Sequence, residues 1–399
     1  MQQRKCIMKK ALLLCSSHND LGLVRALRKL GYYIIVTGNR VNLPGQKWCD
    51  EFIFSDYSNK EKILEIAKEK NIDAIIQCCN DFGVYTAAYV AEKLGLPGYD
   101  SYETTLMLHN KDLFKEFAKK NNITSPISES FSSEKEALQH LDSCTYPVII
   151  KPTDCSAGNG IHKAENKTEG SKYIQEAFLK SRAKRIVIES YIQGTQHGFC
   201  TFLRNQKVCA ICSNNEYSFL NPYRVEIDTY PADNFDLVQE SLVAQIEKIA
   251  RILNLKDGIF HLQYIHDGKN AQIIEVMRRI LGNMYHVPGN ALTGIDWEYW
   301  DTRVRCGLDI SAMPSIVDQT GCFAYKTILA TKNGKIKSIH IPSRYNKYLD
   351  SVFMLKHEGD VVENYMSEPI GFMFFCFPDQ QTMKNLLIES YINDAVTIE

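Results

Sequence analysis

A lysine that precedes a glycine-rich turn is the feature of this sequence with the clearest chemical meaning. The apolar residues YPVII at 146–150 lead directly into KPTDCSAGNG at 151–160. An unpaired ammonium group at the end of a buried strand is costly, so Lys151 requires an anionic partner. Backbone N–H groups around Gly158 and Gly160 can turn toward the same anion and bind phosphate oxygens. The segment therefore predicts a phosphate-binding loop, although turns of this composition are more often simple connectors.

The common nucleotide-binding motifs do not occur at the places where they would be expected. The loop lacks G-x-x-x-x-G-K-[ST], and its lysine precedes the glycines instead of following them. The first turn of the chain, CSSHND at residues 15–20, contains no G-x-G-x-x-G. An N-terminal dinucleotide site is therefore not expected, which argues against the alternative of a dehydrogenase.

Two oxygen-bearing side chains are expected to face each other in a hairpin. Residues 258–277, GIFHLQYIHDGKNAQIIEVM, alternate in polarity on both sides of an Asp-Gly turn, which predicts two antiparallel strands. Gln263 lies on the first strand and Glu275 on the second. Side-chain oxygens of this kind suit Mg²⁺ that bridges polyphosphate oxygens. The position of Glu275 directly after two isoleucines, in the sequence QIIE, favours this role over that of a surface carboxylate.

Three further charged residues are candidates for the same site. Lys111 lies in the first turn of a helix predicted over residues 110–122, where a solvated lysine is the alternative. Glu189 ends the strand in RIVIESYIQG. Arg279 follows the hairpin, and an ordinary surface charge is an equally good interpretation of it.

Two histidines and an asparagine are candidates for contact with a substrate. His261 shares a strand face with Gln263, although a core histidine is the favoured alternative. The segment GNMYHVPGN, residues 282–290, follows the hairpin and contains Asn283 and His286. We expect this segment to line an acceptor pocket.

The elements that must position these residues differ along the chain. The first hundred residues alternate strand and helix, which predicts a parallel sheet with helices on both faces. A long helix is predicted near residues 233–255, with Leu237, Leu242 and Ile246 on its apolar face. A chain of 399 residues is expected to form two or three packed units. Residues 1–7 are expected to be dispensable.

The composition excludes several classes of function. A formal net charge of -1 argues against binding to nucleic acid or to an anionic membrane, because both require a basic surplus. No apolar run approaches the roughly 20 residues that span a bilayer. Thirteen cysteines, most of them in apolar surroundings, indicate reduced thiols and a cytoplasmic location. The one C-x-x-C pair, Cys209 and Cys212, has no second pair and is not expected to bind zinc.

Four segments together resemble the ATP-grasp superfamily in their order and spacing. They are NKDLFKEF, YPVIIKPTDCSAGNGI, RIVIESYIQG, and GIFHLQY with the later QIIEVMRRILGN. The resemblance covers most of the chain and implies an α/β fold that becomes α+β in its C-terminal part. It implies a Rossmann-like pre-ATP-grasp domain over residues 1–109, a central lid subdomain over 110–193, and a C-terminal part over 194–399. The last two would form two β-layers that enclose ATP.

The resemblance also implies roles for individual residues. ATP phosphates and the adenosine would be bound by Lys111, Lys151, the lid residues Ser156, Gly158, Asn159 and Gly160, the hinge residues Glu189, Ser190, Tyr191 and Ile192, and the ribose-binding Gln196. Magnesium, or manganese in its place, would be held by Gln263 and Glu275. Arg279 would act with Lys151 in catalysis, and His261, Asn283 and His286 would contact substrate.

The activity implied by the resemblance is ATP-dependent ligation of a carboxylate to an amine through an acylphosphate. Single-chain amino-acid or dipeptide ligases are the most similar branch, so the implied partners are small-molecule carboxylates and amines, and a homodimer is allowed. The alternatives are a purine-pathway-type or carboxylating enzyme of the same fold and a nucleotide-binding protein without turnover. Met277 motivates the last alternative, because it stands where the family usually has a metal-binding Asn.

Overall fold

Four β-sheets organise the part of the chain that the computed structural model describes, residues 8–155, 158–315 and 321–399. Ser156 of the predicted lid and the predicted dispensable segment 1–7 lie outside these residues. None of the helices in the described ranges combines the length and the hydropathy that crossing a membrane would require.

The N-terminal sheet is parallel, as the alternation of strands and helices predicts. Its strand order is β3-β2-β1-β4, and each strand pairs in parallel with its neighbour. The strands are β1 Lys10–Leu14, β2 Tyr33–Gly38, β3 Glu51–Phe54 and β4 Ala74–Ile76. The helices of this part are α1 Leu21–Lys29, α2 Lys60–Lys70 and α3 Asp81–Leu94.

Two helices and a small antiparallel sheet follow. The helices are α4 Tyr102–His109 and α5 Lys111–Lys120. The sheet has the order β5-β8-β6-β7. Its strands are β5 Ser128–Phe131, β6 Val148–Pro152, β7 His162–Ala164 and β8 Ile186–Ser190, and its helices are α6 Glu134–His140 and α7 Lys167–Lys180. The predicted glycine loop connects β6 to β7.

The C-terminal part is built on an eight-stranded sheet with the order β13-β12-β9-β10-β11-β14-β18-β16. A three-stranded sheet, β17-β15-β19, adjoins it. The strands are β9 Thr195–Arg204, β10 Lys207–Tyr217, β11 Ile227–Tyr230, β12 Gly258–His266, β13 Ala271–Met277, β14 Cys322–Ile328, β15 Gly334–Ile339, β16 Leu349–Met354, β17 Val361–Val362, β18 Gly371–Phe377 and β19 Val396–Ile398. The helices are α8 Gln239–Ile252, α9 His286–Thr293, α10 Trp297–Arg305 and α11 Gln380–Lys384.

Packing ties the predicted domains together across their boundaries. The apolar side chains of α5, such as Phe114, lie in one core with Phe199 of β9 and Leu242 of α8. Leu27 of α1 shares another core with Trp297 of α10. The predicted boundaries at residues 109 and 193 remain predictions. We propose that the central subdomain begins after α5, because α5 packs beneath the large sheet.

The long helix α8 begins later than the apolar spacing predicts. Its first residue is Gln239, and Leu237 lies in a short 3₁₀ turn before it. Leu237 is consequently 66% exposed, whereas Leu242 is fully buried. The prediction that Leu237 belongs to the apolar face of the helix is therefore wrong.

This difference in burial predicts unequal effects for the same chemical change. We expect Leu242→Ala to lower the free energy of unfolding by about 2–5 kcal/mol, because it leaves a cavity in a packed core. Leu237→Ala is the matched control, and we expect a change within about 0.5 kcal/mol. Urea unfolding followed by circular dichroism measures both values. Equal losses in the two variants would contradict the packing described here.

Candidate active site

A cavity of about 620 Å³ lies between the small antiparallel sheet and the large sheet. Lys151 of β6 and Glu189 of β8 line one wall. Gln263 of β12 and Glu275 of β13 line the other wall. Two sheets that came from separate parts of the sequence thus enclose one pocket.

A row of polar side chains crosses the floor of the cavity on one face of the large sheet. Residues that are directly opposite in neighbouring strands share a face. Glu275 lies opposite Gln263, and Gln263 lies opposite Gly198 of β9. Glu216 of β10 lies opposite Asp228 of β11, and Asp228 lies opposite Tyr325 of β14. The hairpin register that pairs Gln263 with Glu275 is the one that the sequence predicts.

Glu216 fixes the orientation of two glutamines in this floor. The Gln263 Nε2 donates to both Glu216 carboxylate oxygens, at 3.0 and 2.7 Å. The Gln196 Nε2 donates to the same carboxylate at 2.6 Å. Burial raises the pKa of Glu216, and the two amide donors lower it again in part. Because the amide nitrogen of Gln263 faces a carboxylate, its amide oxygen is directed away from Glu216. This oxygen can accept a hydrogen bond or bind a metal ion.

Gly198 makes room for this arrangement. A Cβ atom at residue 198 would lie 2.3 Å from Asn214 Oδ1 and 3.0 Å from Glu216 Oε1. Side chains on β9 and β10 therefore cannot both be large at this level. The glycine allows Glu216 to reach across β9 to Gln263.

Lys111 joins α5 to the carboxylate of the hairpin. Its Nζ lies 3.0 Å from Glu275 Oε1 and donates to the backbone carbonyl of Cys155 at 2.9 Å. Burial alone would lower the pKa of Lys111, but the Glu275 carboxylate raises it above its usual value. Burial would raise the pKa of Glu275, and Lys111 lowers it. Both groups are therefore charged in the folded protein.

A second buried cluster holds Lys151. Glu189 Oε1 lies 2.5 Å from the Lys151 Nζ, and Glu189 Oε2 lies 3.4 Å from the Lys115 Nζ. Burial lowers the pKa of Lys115 to about 8, against the attraction of Glu189. The Glu189 carboxylate of β8 is thus the counter-ion of two lysines, Lys151 of the neighbouring strand β6 and Lys115 of α5. Glu189 is therefore the anionic partner that the sequence predicts for Lys151.

Arg279 is anchored to the N-terminal unit. Its Nε donates to Asp81 Oδ1 at 2.8 Å. His109 lies 3.1 Å from the same oxygen through Nδ1 and accepts from the Arg278 backbone N–H at Nε2. Burial alone would raise the pKa of Asp81, but Arg279 and His109 lower it below its usual range. The guanidinium of Arg279 is thus held at the edge of the cavity as a fixed positive charge.

Comparison with known proteins identifies this arrangement. Residues 109–221 match the family described as phosphoribosylglycinamide synthetase, ATP-grasp (A) domain. The structure of L-amino acid ligase from Bacillus licheniformis superposes with a TM-score of 0.82 at 17% identity, over 98% of this chain and 99% of that one. Phosphoribosylglycinamide synthetase from Anaerococcus prevotii gives 0.76 at 21% identity, over 98% and 100% of the two chains. The chain has the ATP-grasp fold. The fold that the sequence predicts is confirmed.

A sequence relative supports the same assignment over part of its length. The carbamoyl phosphate synthase large chain of Clostridium acetobutylicum is 27% identical over 265 residues, which are 64% of this chain. Those residues are 24% of the relative, so the chain matches about a quarter of that protein.

Most residues that the ATP-grasp resemblance singled out lie around the one cavity. The lining includes Lys111, Lys151, Gly158, Glu189, Ser190, Tyr191, Ile192, Gln196, His261, Gln263, Glu275, Arg279 and Asn283. Their proximity is established by the geometry, whereas their roles remain proposals.

Three predicted residues do not line the cavity. Asn159 is exposed on the turn, and Gly160 packs against Pro152 at the foot of β6. His286 does not reach the acceptor end of the cavity, because its Nε2 is 3.0 Å from the buried Glu298 carboxylate. His286 begins α9 and pairs with Glu298 of α10, so this geometry gives no support to the predicted contact with substrate.

Several site residues escaped the sequence analysis. They are Lys115, Glu216, Asp228, Arg224 and Asp81. Glu216 is the next-to-last residue of β10, the strand that contains Cys209 and Cys212. Its polar neighbours Asn214 and Asn215, inside an otherwise apolar strand, were the available signal.

The oxygen donors of the floor fit one divalent cation in an ATP-grasp site. The described residues contain no cluster of three His, Cys, Asp or Glu side chains able to hold a metal ion. Glu275 and the free amide oxygen of Gln263 are hard donors of the kind that Mg²⁺ prefers, and phosphate oxygens would supply the rest. Met277 lies opposite His261 and offers only a thioether.

Gly198→Ala tests the packing of the floor. We expect the new methyl group to displace Asn214 and Glu216, to lower the free energy of unfolding by about 1–3 kcal/mol, and to weaken nucleotide binding. Gly38→Ala is the control, because a Cβ there would meet its nearest described atom only at 4.0 Å. Chemical unfolding and nucleotide titration measure the two effects. Unchanged binding in Gly198→Ala would show that Glu216 does not set the geometry of the floor.

Proposed function

We propose that the protein is an ATP-dependent ligase that phosphorylates a carboxylate and couples the acylphosphate to an amine, releasing ADP and phosphate. The observation that carries this proposal is the cavity between the two sheets. Lys151 supplies positive charge from the small sheet, and Lys111 lies beside Glu275, which together with Gln263 supplies oxygen donors from the large sheet.

The cavity offers separate surfaces for the two halves of ATP. Ile149, Ile192 and Ile274 are among the apolar residues that line it, and they would provide the apolar contacts that a purine ring requires. The segment from Glu189 to Ile192 also lines the cavity and would read the adenine edge through its backbone. The Gln196 side chain would form hydrogen bonds with the ribose hydroxyl groups. Gly158 approaches Tyr223 so closely that a Cβ would lie 2.3 Å from its carbonyl oxygen, and this close contact supports a position of the loop over the cavity.

Magnesium would be held by Glu275 and Gln263 and would supply Lewis-acid stabilisation of the phosphoryl oxygens when it is bound. Lys111 and Lys151 would bind phosphate oxygens from positions that their counter-ions already fix. Arg279 would stabilise negative charge on the reacting phosphoryl or acyl group. Closure of the glycine loop over the cavity would exclude water from the acylphosphate.

The thiols in the cavity do not offer a competing mechanism. Cys79 and Cys155 line it, and burial raises the pKa of both. A protonated thiol is a weak nucleophile, so covalent capture of the acyl group on cysteine is disfavoured. Activation through phosphate needs no nucleophile from the protein.

The similar proteins support ligase chemistry and define the alternatives. Two of them, named above, are an L-amino acid ligase and a phosphoribosylglycinamide synthetase. N5-carboxyaminoimidazole synthetase from Staphylococcus aureus, solved with ADP, superposes with a TM-score of 0.72 at 14% identity, over 94% of this chain and 95% of that one. It represents the purine-pathway or carboxylating alternative. The thioether of Met277 favours the alternative of nucleotide binding without turnover.

We also propose a cytoplasmic location and small-molecule substrates, with neither nucleic acid nor membrane as a partner. The twelve cysteines in the described ranges are all free thiols, which fits a reducing compartment. A homodimer is compatible with this proposal.

Charge removal at the two sides of the cavity tests the proposed activity. We expect Lys151→Met and Glu275→Gln each to lower ATP-dependent ADP release about 100-fold or more, because each removes a charge positioned for phosphoryl transfer. The assay couples ADP release to a panel of carboxylates and amines, with bicarbonate included for the carboxylating alternative. Lys119→Met and Glu116→Gln, at exposed positions of α5, are the matched controls. Near-normal turnover in either cavity variant would refute the site, and nucleotide binding without any ADP release would favour the non-catalytic alternative.

A further inference from the structure

Asp228 is a buried carboxylate that faces the cavity with unused bonding capacity. It is 2% exposed and lines the pocket. Its Oδ2 accepts a long hydrogen bond, 3.4 Å, from the Tyr230 hydroxyl. Its Oδ1 has no hydrogen-bond partner in the described ranges. Burial, and then the negative charge of Glu216, raise the pKa of Asp228. A cation placed at this carboxylate would relieve both effects.

Arg224 is a buried guanidinium that faces the same cavity without an acidic partner. It is 9% exposed, and its Nη1 donates to the Met366 carbonyl at 3.3 Å. The described residues place no carboxylate within ion-pair distance of it. The nearby Glu226 is already used, because its oxygens accept from the backbone N–H of Phe219 and from the Tyr391 hydroxyl. A buried arginine with free donors indicates a site for an anion.

The Asp228 and Arg224 side chains lie at one end of the pocket. Tyr325 lies opposite Asp228 in the strand register and is close enough to Arg224 to interact with it electrostatically. Asn283 lines the same end and donates to the Tyr325 hydroxyl at 3.4 Å. At the other end, Lys111 and Lys151 are already paired with Glu275 and Glu189.

We propose that this end of the cavity binds a free α-amino acid as the amine acceptor, with its ammonium group at Asp228 and its carboxylate at Arg224. This inference rests on the proposed ligase function and specifies its second substrate. A simple amine would leave Arg224 without a counter-ion. A simple carboxylate would leave Asp228 uncompensated beside a second negative charge. A zwitterion with both groups satisfies both residues.

The two charges also distinguish the acceptor from the acid that is activated. The acid must present its carboxylate to the phosphoryl group, near Lys111, Lys151 and Arg279. A carboxylate that is held by Arg224 is engaged at the opposite end and is not the group that reacts. Arg224 and Asp228 therefore select the acceptor and leave activation of the acid unaffected.

Trapping with hydroxylamine separates the two half-reactions. Hydroxylamine is small and uncharged, so it can intercept an acylphosphate without the contacts that an amino acid needs. Hydroxamate formation from ATP, magnesium and a panel of acids reports activation alone. ADP release with the common L-amino acids, and with the amide of the best acceptor among them, reports coupling.

Arg224→Gln and Asp228→Asn are the test variants, and Arg251→Gln on the outer surface of α8 is the control. We expect hydroxamate formation within about twofold of the parent in both test variants, and a KM for the amino acid raised at least about tenfold. The parent should prefer the amino acid to its amide by at least about tenfold, and Arg224→Gln should remove that preference. Thermal unfolding of each variant shows that it is folded.

Three results would overturn the inference. Equal use of the amino acid and its amide by the parent would exclude recognition of the carboxylate. A parallel loss of hydroxamate formation in folded variants would assign Arg224 and Asp228 to the activated acid. Absence of both hydroxamate and ADP from the parent with every acid would remove the ligase function itself, and the acceptor site with it.

Discussion

Pairing of buried charges is the constraint on which the rest of this structure depends. Lys111 with Glu275, Lys151 with Glu189, and Arg279 with Asp81 each join elements from distant parts of the chain. Removal of one member of such a pair leaves the other charge buried, at a cost of about 3–5 kcal/mol. The pairs therefore hold the two sheets, α5 and the N-terminal unit in one arrangement before any ligand arrives. A site that is organised in advance requires little rearrangement during phosphoryl transfer.

Glu189 is the counter-ion of both Lys115 and Lys151, so the lysine end of the cavity carries an excess of positive charge. The floor carries Glu216 and Asp228, and neither carboxylate has a basic partner among the described residues. Arg224 has no acidic one there. Substrates can supply the missing opposite charges. Substrate binding is therefore a physical reason for the unpaired charged groups in this buried pocket. We therefore expect the nucleotide phosphates to lie near the lysines and a zwitterion to lie near Arg224.

Local patterns in the sequence predicted the elements that local forces determine. The parallel sheet, the hairpin with Gln263 opposite Glu275, and Lys151 at the end of β6 all follow from periodicity and turn residues. Glu216 could not be found in this way, because its partner Gln263 lies two strands away and only Gly198 allows them to meet. His286 lies outside the cavity lining because the loop after the hairpin continues into α9, and its Nε2 lies 3.0 Å from Glu298 of α10. Lys115 was missed because nothing near it in sequence reveals its partner Glu189.

The central claim is that the cavity binds a triphosphate together with a divalent ion. Isothermal titration calorimetry with a non-hydrolysable ATP analogue, with magnesium and again with EDTA, measures this most directly. The account predicts one site whose Kd rises at least about tenfold when magnesium is removed and rises again in Lys151→Met. The absence of binding heat at any analogue concentration, or a Kd that is the same with and without magnesium, would contradict it.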